Sequence, residues 1–369
     1  VLLLLLHYGT TVAQPQDNSL GIWSETAANT WYSSQPWLVG MNYTPAYAIN
    51  QLEMWQAETF DLQAIDQELQ WAEELGFNTA RVFLHDLLWE QDREAFLKRI
   101  DALLNVADQH GIQIMLVLFD SVWDPNPQLG TQRKPKKGVH NSGWVQSPGL
   151  TALMDTVNSY PRLEHYVKGI VGRFAHDSRV LVWDLINEAD NRNRSSYVAQ
   201  EPDNKMEYGL SLLKASFRWA REMLPSQSIT SGIWLGDWSS EERMTKMDLF
   251  LVQNSDVISF HSYHGPEEYE QRVTYLQRYN RPLLCTEYMA RPRNSTFEYI
   301  LPIAKKHKVA SYNWGFVNGK TNTIYPWDSW EKPYEQEPDP WFHDIFKANG
   351  EPYSKKEVQF IEQIIQSGK

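Results

Sequence analysis

From Trp37 onward the chain alternates short apolar runs with stretches of helical periodicity, and it does so eight times. The runs are Trp37–Asn42, Asn78–Leu84, Ile112–Phe119, Val180–Glu188, Ile229–Trp234, Val257–Tyr263, Pro282–Glu287 and Val309–Trp314. Apolar residues three and four apart, such as Leu62, Ile65, Leu69, Ala72 and Leu75, predict helices over 61–75, 91–110, 162–176, 204–224, 240–254, 266–279 and 296–307. Two more are expected over 339–348 and 354–366. Gly76 and Gly111 close the first two helices, where a left-handed residue ends the last turn. Short, mostly apolar strands are buried on both faces, which is the property of a parallel sheet covered by helices. Eight of them with helices between predict a closed (β/α)8 TIM barrel in a single domain, which needs about 250 residues before insertions. A doubly wound open sheet would have fewer strands and a glycine-rich phosphate turn. Neither G-x-G-x-x-G nor a P-loop occurs in the chain.

The carboxyl ends of barrel strands carry the chemistry. In the fourth run six of the seven residues Val180–Ile186 are apolar, broken only by Asp184, and the run ends on Asn187 and Glu188. Taken in order, the strand ends offer Asn42, Arg81 with His85 and Asp86 just beyond, Asp120, Asn187 with Glu188, Trp234, His261 with Tyr263, Glu287 and Trp314. Two glutamates thus end strands four and seven, which lie across the rim from one another. Two carboxylates facing across a pocket are the equipment of glycosidic-bond hydrolysis. A gap of about 5–5.5 Å makes the reaction retaining and about 6.5–9.5 Å makes it inverting. The chain is also rich in aromatics, with 16 Trp and 18 Tyr, and pyranose C–H faces pack on aromatic faces. A forty-residue loop, Asp120 to Tyr160, rich in Pro, Gly, Asn and Trp, is long enough to expect a function for it.

Several classes are excluded. The net charge is −12, and Arg133–Lys137 is the one basic run, so a nucleic-acid partner is not expected and a neutral sugar is. The single cysteine, Cys285, sits in an apolar strand and reads as buried, leaving no disulfide framework or cysteine metal site. Val1–Leu6 followed by Thr11-Val-Ala13 has the form of the end of a secretory signal peptide cut after Ala13, which predicts a secreted or periplasmic protein. Six apolar residues are too few for a membrane span. Residues 14–36 read as a polar, turn-rich extension whose Trp23 and Trp31 dock onto the body, and 37–369 as the catalytic domain.

The pattern of glutamates after strands four and seven, the first preceded by Asn, resembles clan A of the glycoside hydrolases. Arg81 on strand two, His261-x-Tyr263 on strand six and Trp314 on strand eight are similar to family 5, the cellulase-like members. Family 5 enzymes often carry a His at the end of strand three, where this chain has Phe119-Asp120. The resemblance implies a retaining double displacement on a β-linked sugar, with no metal and no organic cofactor. It implies Glu287 as nucleophile, held ionised by Arg81 and the Tyr263 hydroxyl, and Glu188 as acid and then base, with a raised pKa. It further implies Asn187 on the sugar 2-hydroxyl, His261 on the sugar or the acid, and Trp314 as the pocket floor. Asn42, Asp120 and Trp234 complete the expected sugar-binding set. The runs 42–53, 120–124 and 140–146 are expected to wall the pocket, which favours an exo-acting or short-oligosaccharide enzyme over an open-cleft endo-glycanase. A non-catalytic glycan-binding barrel would lack one glutamate, and both are present. A metal-dependent barrel hydrolase would want histidine clusters at strand ends; His261 and His264 are close, but no H-x-H on strand one supports them.

Overall fold

The chain's structure is a computed structural model describing residues 21–367. The expected signal segment, 1–13, and residues 14–20 of the extension lie outside the described residues. Eight parallel strands form the barrel: β1 (Val39–Tyr43), β2 (Thr79–Phe83), β3 (Gln113–Asp120), β4 (Val180–Asn187), β5 (Ser228–Thr230), β6 (Ile258–His261), β7 (Leu283–Tyr288) and β8 (Ala310–Asn313). The hydrogen-bonded order runs β5-β4-β3-β2-β1-β8-β7-β6. The seam between β5 and β6 is closed by one bridge, Ile233 to Phe260, with His261 N–H donating to the Ile233 carbonyl at 2.9 Å. The fold is therefore a (β/α)8 barrel in a single domain. Parallel pairing around a nearly closed barrel suits strands that are buried at nearly every position.

Helices cover the outside where the periodicity predicts them. They include α3 (Leu62–Glu74), α4 (Asp86–Gln109), α6 (Tyr160–Phe174), α7 (Lys205–Arg221), α8 (Lys246–Asn254), α9 (Pro266–Gln277), α10 (Phe297–Lys306) and α11 (Lys355–Gln366). Helix α4 begins five residues earlier than expected, with His85 as its N-cap and a break at Asp92. Short helices α2 (Gln51–Trp55) and α5 (Leu150–Met154) lie within the β1 and β3 loops. Among the described residues no helix is long and apolar enough to cross a membrane.

Two expectations need correction. Residues 25–33 are not turn-rich; they form helix α1 (Glu25–Ser33), capped by Ser24, whose side chain accepts from Ala27 N–H. Trp31 and Tyr32 on it pack on Leu38, Leu181, Val257, Leu284 and Ala310 at the amino ends of the strands, plugging that mouth of the barrel. The segment is polar because only one side of a single short helix is covered, so the apolar signal is diluted. The helix expected over 339–348 is absent. Residues 341–346 are buried without a break, which no one-sided helix allows. Their backbone is taken instead by Arg291, which donates to the carbonyls of Trp341, His343 and Asp344, and by Phe316 and Ile324.

Candidate active site

The site is built around a buried cation. Arg81, on β2, is fully buried, and a guanidinium there must have its donors matched. Nε donates to Asp184 on β4 at 2.9 Å, Nη1 to Asn42 on β1 at 2.8 Å and to Glu287 on β7 at 2.9 Å, and Nη2 to Asn187 on β4 at 2.8 Å. Four side chains from three other strands are thereby fixed by one planar group, a task lysine could not perform. Asp184, the lone charge in an apolar strand, is the counter-ion beneath the site.

Glu287 accepts from Arg81 on one oxygen and from the Tyr263 hydroxyl on the other, at 2.8 Å. Glu188 accepts from the Asn191 amide at 2.6 Å and faces His261 Nδ1 at 2.9 Å. It stands directly after β4 with φ 46°, a left-handed conformation that is strained for glutamate and aims its side chain across the mouth. His261 Nδ1 is also 3.5 Å from Glu287. One oxygen of each glutamate and one ring nitrogen of His261 lie within 4.8 Å of one another.

These surroundings separate the two carboxyls. Burial pushes Glu188 up to about 7; Asp190 adds to this, while Asn191, Arg81 and Lys205 oppose it. Burial and the Glu188 charge push Glu287 up as well, but His261, Arg81 and the Tyr263 hydroxyl pull it back. His261 is pushed down to about 4 by burial, so near neutrality it gives the pair a hydrogen bond and not a charge. Because Glu287 takes the guanidinium and Glu188 takes only neutral donors, the proton the pair retains belongs on Glu188.

The remaining expected residues divide into two groups. Trp314 is half-buried and packs edge-on against Phe83 and Trp144 beside the carboxylates. Trp234 is half-buried, its indole N–H on Asp190 at 2.6 Å. Asn42 is engaged within the protein: its amide donates to the Thr286 and Asn313 carbonyls and its oxygen accepts from Arg81. Asp120, pushed up to about 7 by burial, accepts from Trp144 and Asn187 and so holds one N–H of Asn187, leaving the other available. His85 and Asp86 lie off the site, at the start of α4, where Arg162 and Ser147 hold Asp86.

Sequence alone gave no sign of Asn191 or of what fixes it. Lys205, wholly buried against Glu201, donates to the Asn191 carbonyl at 2.7 Å, and Asn193 N–H donates to the Asn191 side-chain oxygen at 2.7 Å. The clue was at most a run of Asn residues in a loop.

Glu188, His261 and Glu287 could also hold a cation. However, both Glu287 oxygens already accept hydrogen bonds, one from a guanidinium that would repel a metal at contact range.

Comparison with known proteins agrees on class. The Glycosyl hydrolase family 10 model matches residues 101–254, which include Glu188. Mannan endo-1,4-beta-mannosidase A of Emericella nidulans is 25% identical over 92 residues, 25% of this chain and only 21% of that protein. Among solved structures, a GH5_18 protein from Streptomyces cattleya in complex with Manb1-4GlcNAc superposes with TM-score 0.58 at 16% identity, over 90% of this chain and 80% of that one. The exo-beta-1,4-mannosidase Op5Man5 from Opitutaceae bacterium strain TAV5 gives 0.57 at 20% identity, covering 89% and 59%. The hyperthermostable endo-1,4-beta-D-mannanase from Thermotoga petrophila RKU-1 gives 0.55 at 14%, covering 89% and 99%. Fold, paired carboxylates and the partial family match together place the chain in the class of glycoside hydrolases on a TIM barrel. The family 5 expectation is not confirmed: the matching family model is family 10, and these structures, at 20% identity or less, share the fold alone.

Proposed function

We propose that the protein is a retaining β-glycosidase that removes single sugars, mannose foremost, from the non-reducing ends of short β-linked chains. The observation that carries the reaction is that one oxygen of Glu188 and one of Glu287 lie within 4.8 Å of each other, which supports the close carboxyl spacing of about 5–5.5 Å that retention uses over the wider gap of inversion. Glu287 attacks the anomeric carbon while protonated Glu188 gives its proton to the leaving oxygen. A glycosyl ester on Glu287 and a free alcohol result. With Glu287 neutralised as an ester, Glu188 is left ionised and takes a proton from water, which opens the ester and returns both groups to their starting states. The free N–H of Asn187 faces the 2-hydroxyl.

Single-sugar release is supported by the rim. Trp330 of the β8 loop stacks on Trp123 of the β3 loop at 5.2 Å and meets Tyr197 of the β4 loop at 5.4 Å. Tyr334 N–H donates to the Gly138 carbonyl and Asn141 N–H to the Thr321 carbonyl. Loops from β3 and β8 thus meet over β1 and β2. Glu188, which protonates the leaving group, follows β4 near Asp190 and Trp234, so the leaving group lies toward that strand and the glycone toward β8 and β1. The preference for mannose rests on the relatives' own names.

The test is a panel of aryl β-mannoside, glucoside, galactoside and xyloside, with β-1,4-oligosaccharides, in the presence of EDTA. Turnover of the mannoside and stepwise loss of one sugar are expected. A ladder of products from a long polymer would favour the endo-glycanase alternative, and EDTA inhibition would revive the metal reading.

The Glu188 environment also fixes a pH dependence. Activity needs Glu188 protonated in the first step, so kcat/KM should fall as pH rises past about 7. Asn191 favours the charged form, so Asn191→Ala should move that alkaline limb upward, by up to about one unit. A pH–rate profile with an unmoved limb would separate Asn191 from the acid.

A further inference from the structure

Asn141, in the β3 loop, is 1% exposed, and among the described residues neither atom of its side-chain amide has a hydrogen-bond partner. Its backbone is satisfied without that side chain: N–H donates to the Thr321 carbonyl at 2.7 Å and its carbonyl accepts from Trp144 at 3.1 Å. The residue holds φ 46°, in the left-handed region that asparagine tolerates better than most side chains. A buried amide with nothing to bind is costly, because its lost hydration is not replaced. It lines a cavity with Asn42, Thr44, Trp144, Trp314 and Thr321, whose free volume is about 20 Å³. That is space for one oxygen-sized group, which needs about 10–15 Å³.

In the glycosidase reading the leaving group lies toward Glu188 on β4. The opposite end of the glycone ring, carrying its 4-hydroxyl and 6-hydroxyl, then lies toward β8 and β1, where Trp314 and Asn42 line the cavity. Resting on that reading, we propose that Asn141 recognises the non-reducing end of the substrate, its amide taking the 4- or 6-hydroxyl of the terminal sugar inside this cavity. The amide both donates and accepts, as a hydroxyl requires. A sugar extended at that hydroxyl would not fit, which makes Asn141 a determinant of single-sugar release as well.

The experiment measures kcat/KM for the preferred aryl β-glycoside and its 4-deoxy and 6-deoxy analogues. It uses the wild type, Asn141→Gly, which keeps a left-handed backbone without strain, and Asn141→Asp, which keeps the shape and loses the donor. Wild type should lose roughly ten- to a hundredfold on one of the two analogues. Asn141→Gly should lose a similar factor on the parent sugar and become indifferent to that same deoxygenation; Asn141→Asp should lose much of the discrimination. Undiminished discrimination in both variants, or none in wild type, overturns the proposal and leaves the cavity to a resident water, with the glycosidase reading intact. Hydrolysis of no glycoside by wild type overturns both.

Discussion

Glu287→Ala is expected to lower turnover of the preferred aryl β-glycoside by about five orders of magnitude or more, the scale on which loss of a covalent nucleophile is felt. The fold should survive, since the variant removes one of two carboxylates around Arg81 and Asp184 still neutralises the guanidinium. Added azide should restore a rate by entering the vacated space on the α face, giving an α-glycosyl azide. Glu188→Ala should behave otherwise. With a leaving group that needs no proton, its first step persists, the ester waits for water, and azide should give the β-glycosyl azide. Reversed azide products in the two variants would exchange the roles assigned to them.

Arg81→Met is expected to be the most damaging substitution outside the carboxylate pair. It leaves Asp184 and Glu287 buried without a counter-ion, at a cost of about 3–5 kcal/mol, and frees Asn42 and Asn187 from their common anchor. Glu287, already pushed up by burial, would be pushed further up without the guanidinium, so its folded form binds a proton more tightly than the unfolded chain. The variant therefore gains stability relative to wild type as pH falls, and the stability gap should be largest near pH ~8 and narrower near pH ~5.5. Denaturant unfolding at the two pH values measures this. A pH-independent gap would place the loss in packing instead of charge. Arg81→Lys keeps the charge but cannot reach four acceptors at once, so it should lose activity while recovering part of the stability.

The barrel was legible because its strands are buried on both faces and read as continuous apolar runs, while each covering helix has one wet side. The residues that meet in the candidate site were legible because they interrupt those runs at strand ends: Arg81 in Thr79–Phe83, Asn187 and Glu188 after Ile186, Glu287 after Leu284. What holds them was not. Asp184 was visible as a lone charge, yet its partner lies 103 residues away, and pairing at such distance follows from barrel closure alone. Asn42 and Asp120 looked like sugar contacts because they sit at strand ends; in three dimensions their polar atoms face Arg81, Asn187 and Trp144. Asn191 and Asn141 belong to loops without periodicity, where the β3, β4 and β8 segments fix one another only once all are in place. The missing helix at 339–348 failed for the same reason: Trp341 to Phe346 answer to Arg291 and Phe316 more than to their own sequence neighbours.

Double displacement requires Glu287 to carry the sugar. The measurement that bears on it most directly is trapping with a 2-deoxy-2-fluoro-β-glycosyl fluoride of the preferred sugar, followed by peptide mass mapping. Fluorine at C2 slows both steps, and the fluoride leaving group restores the first, so the ester accumulates. The expected result is one fluoroglycosyl group on the peptide containing Glu287, absent from Glu287→Ala. No adduct despite active turnover of the parent glycoside, or an adduct on another residue, would contradict the double displacement assigned to this pair.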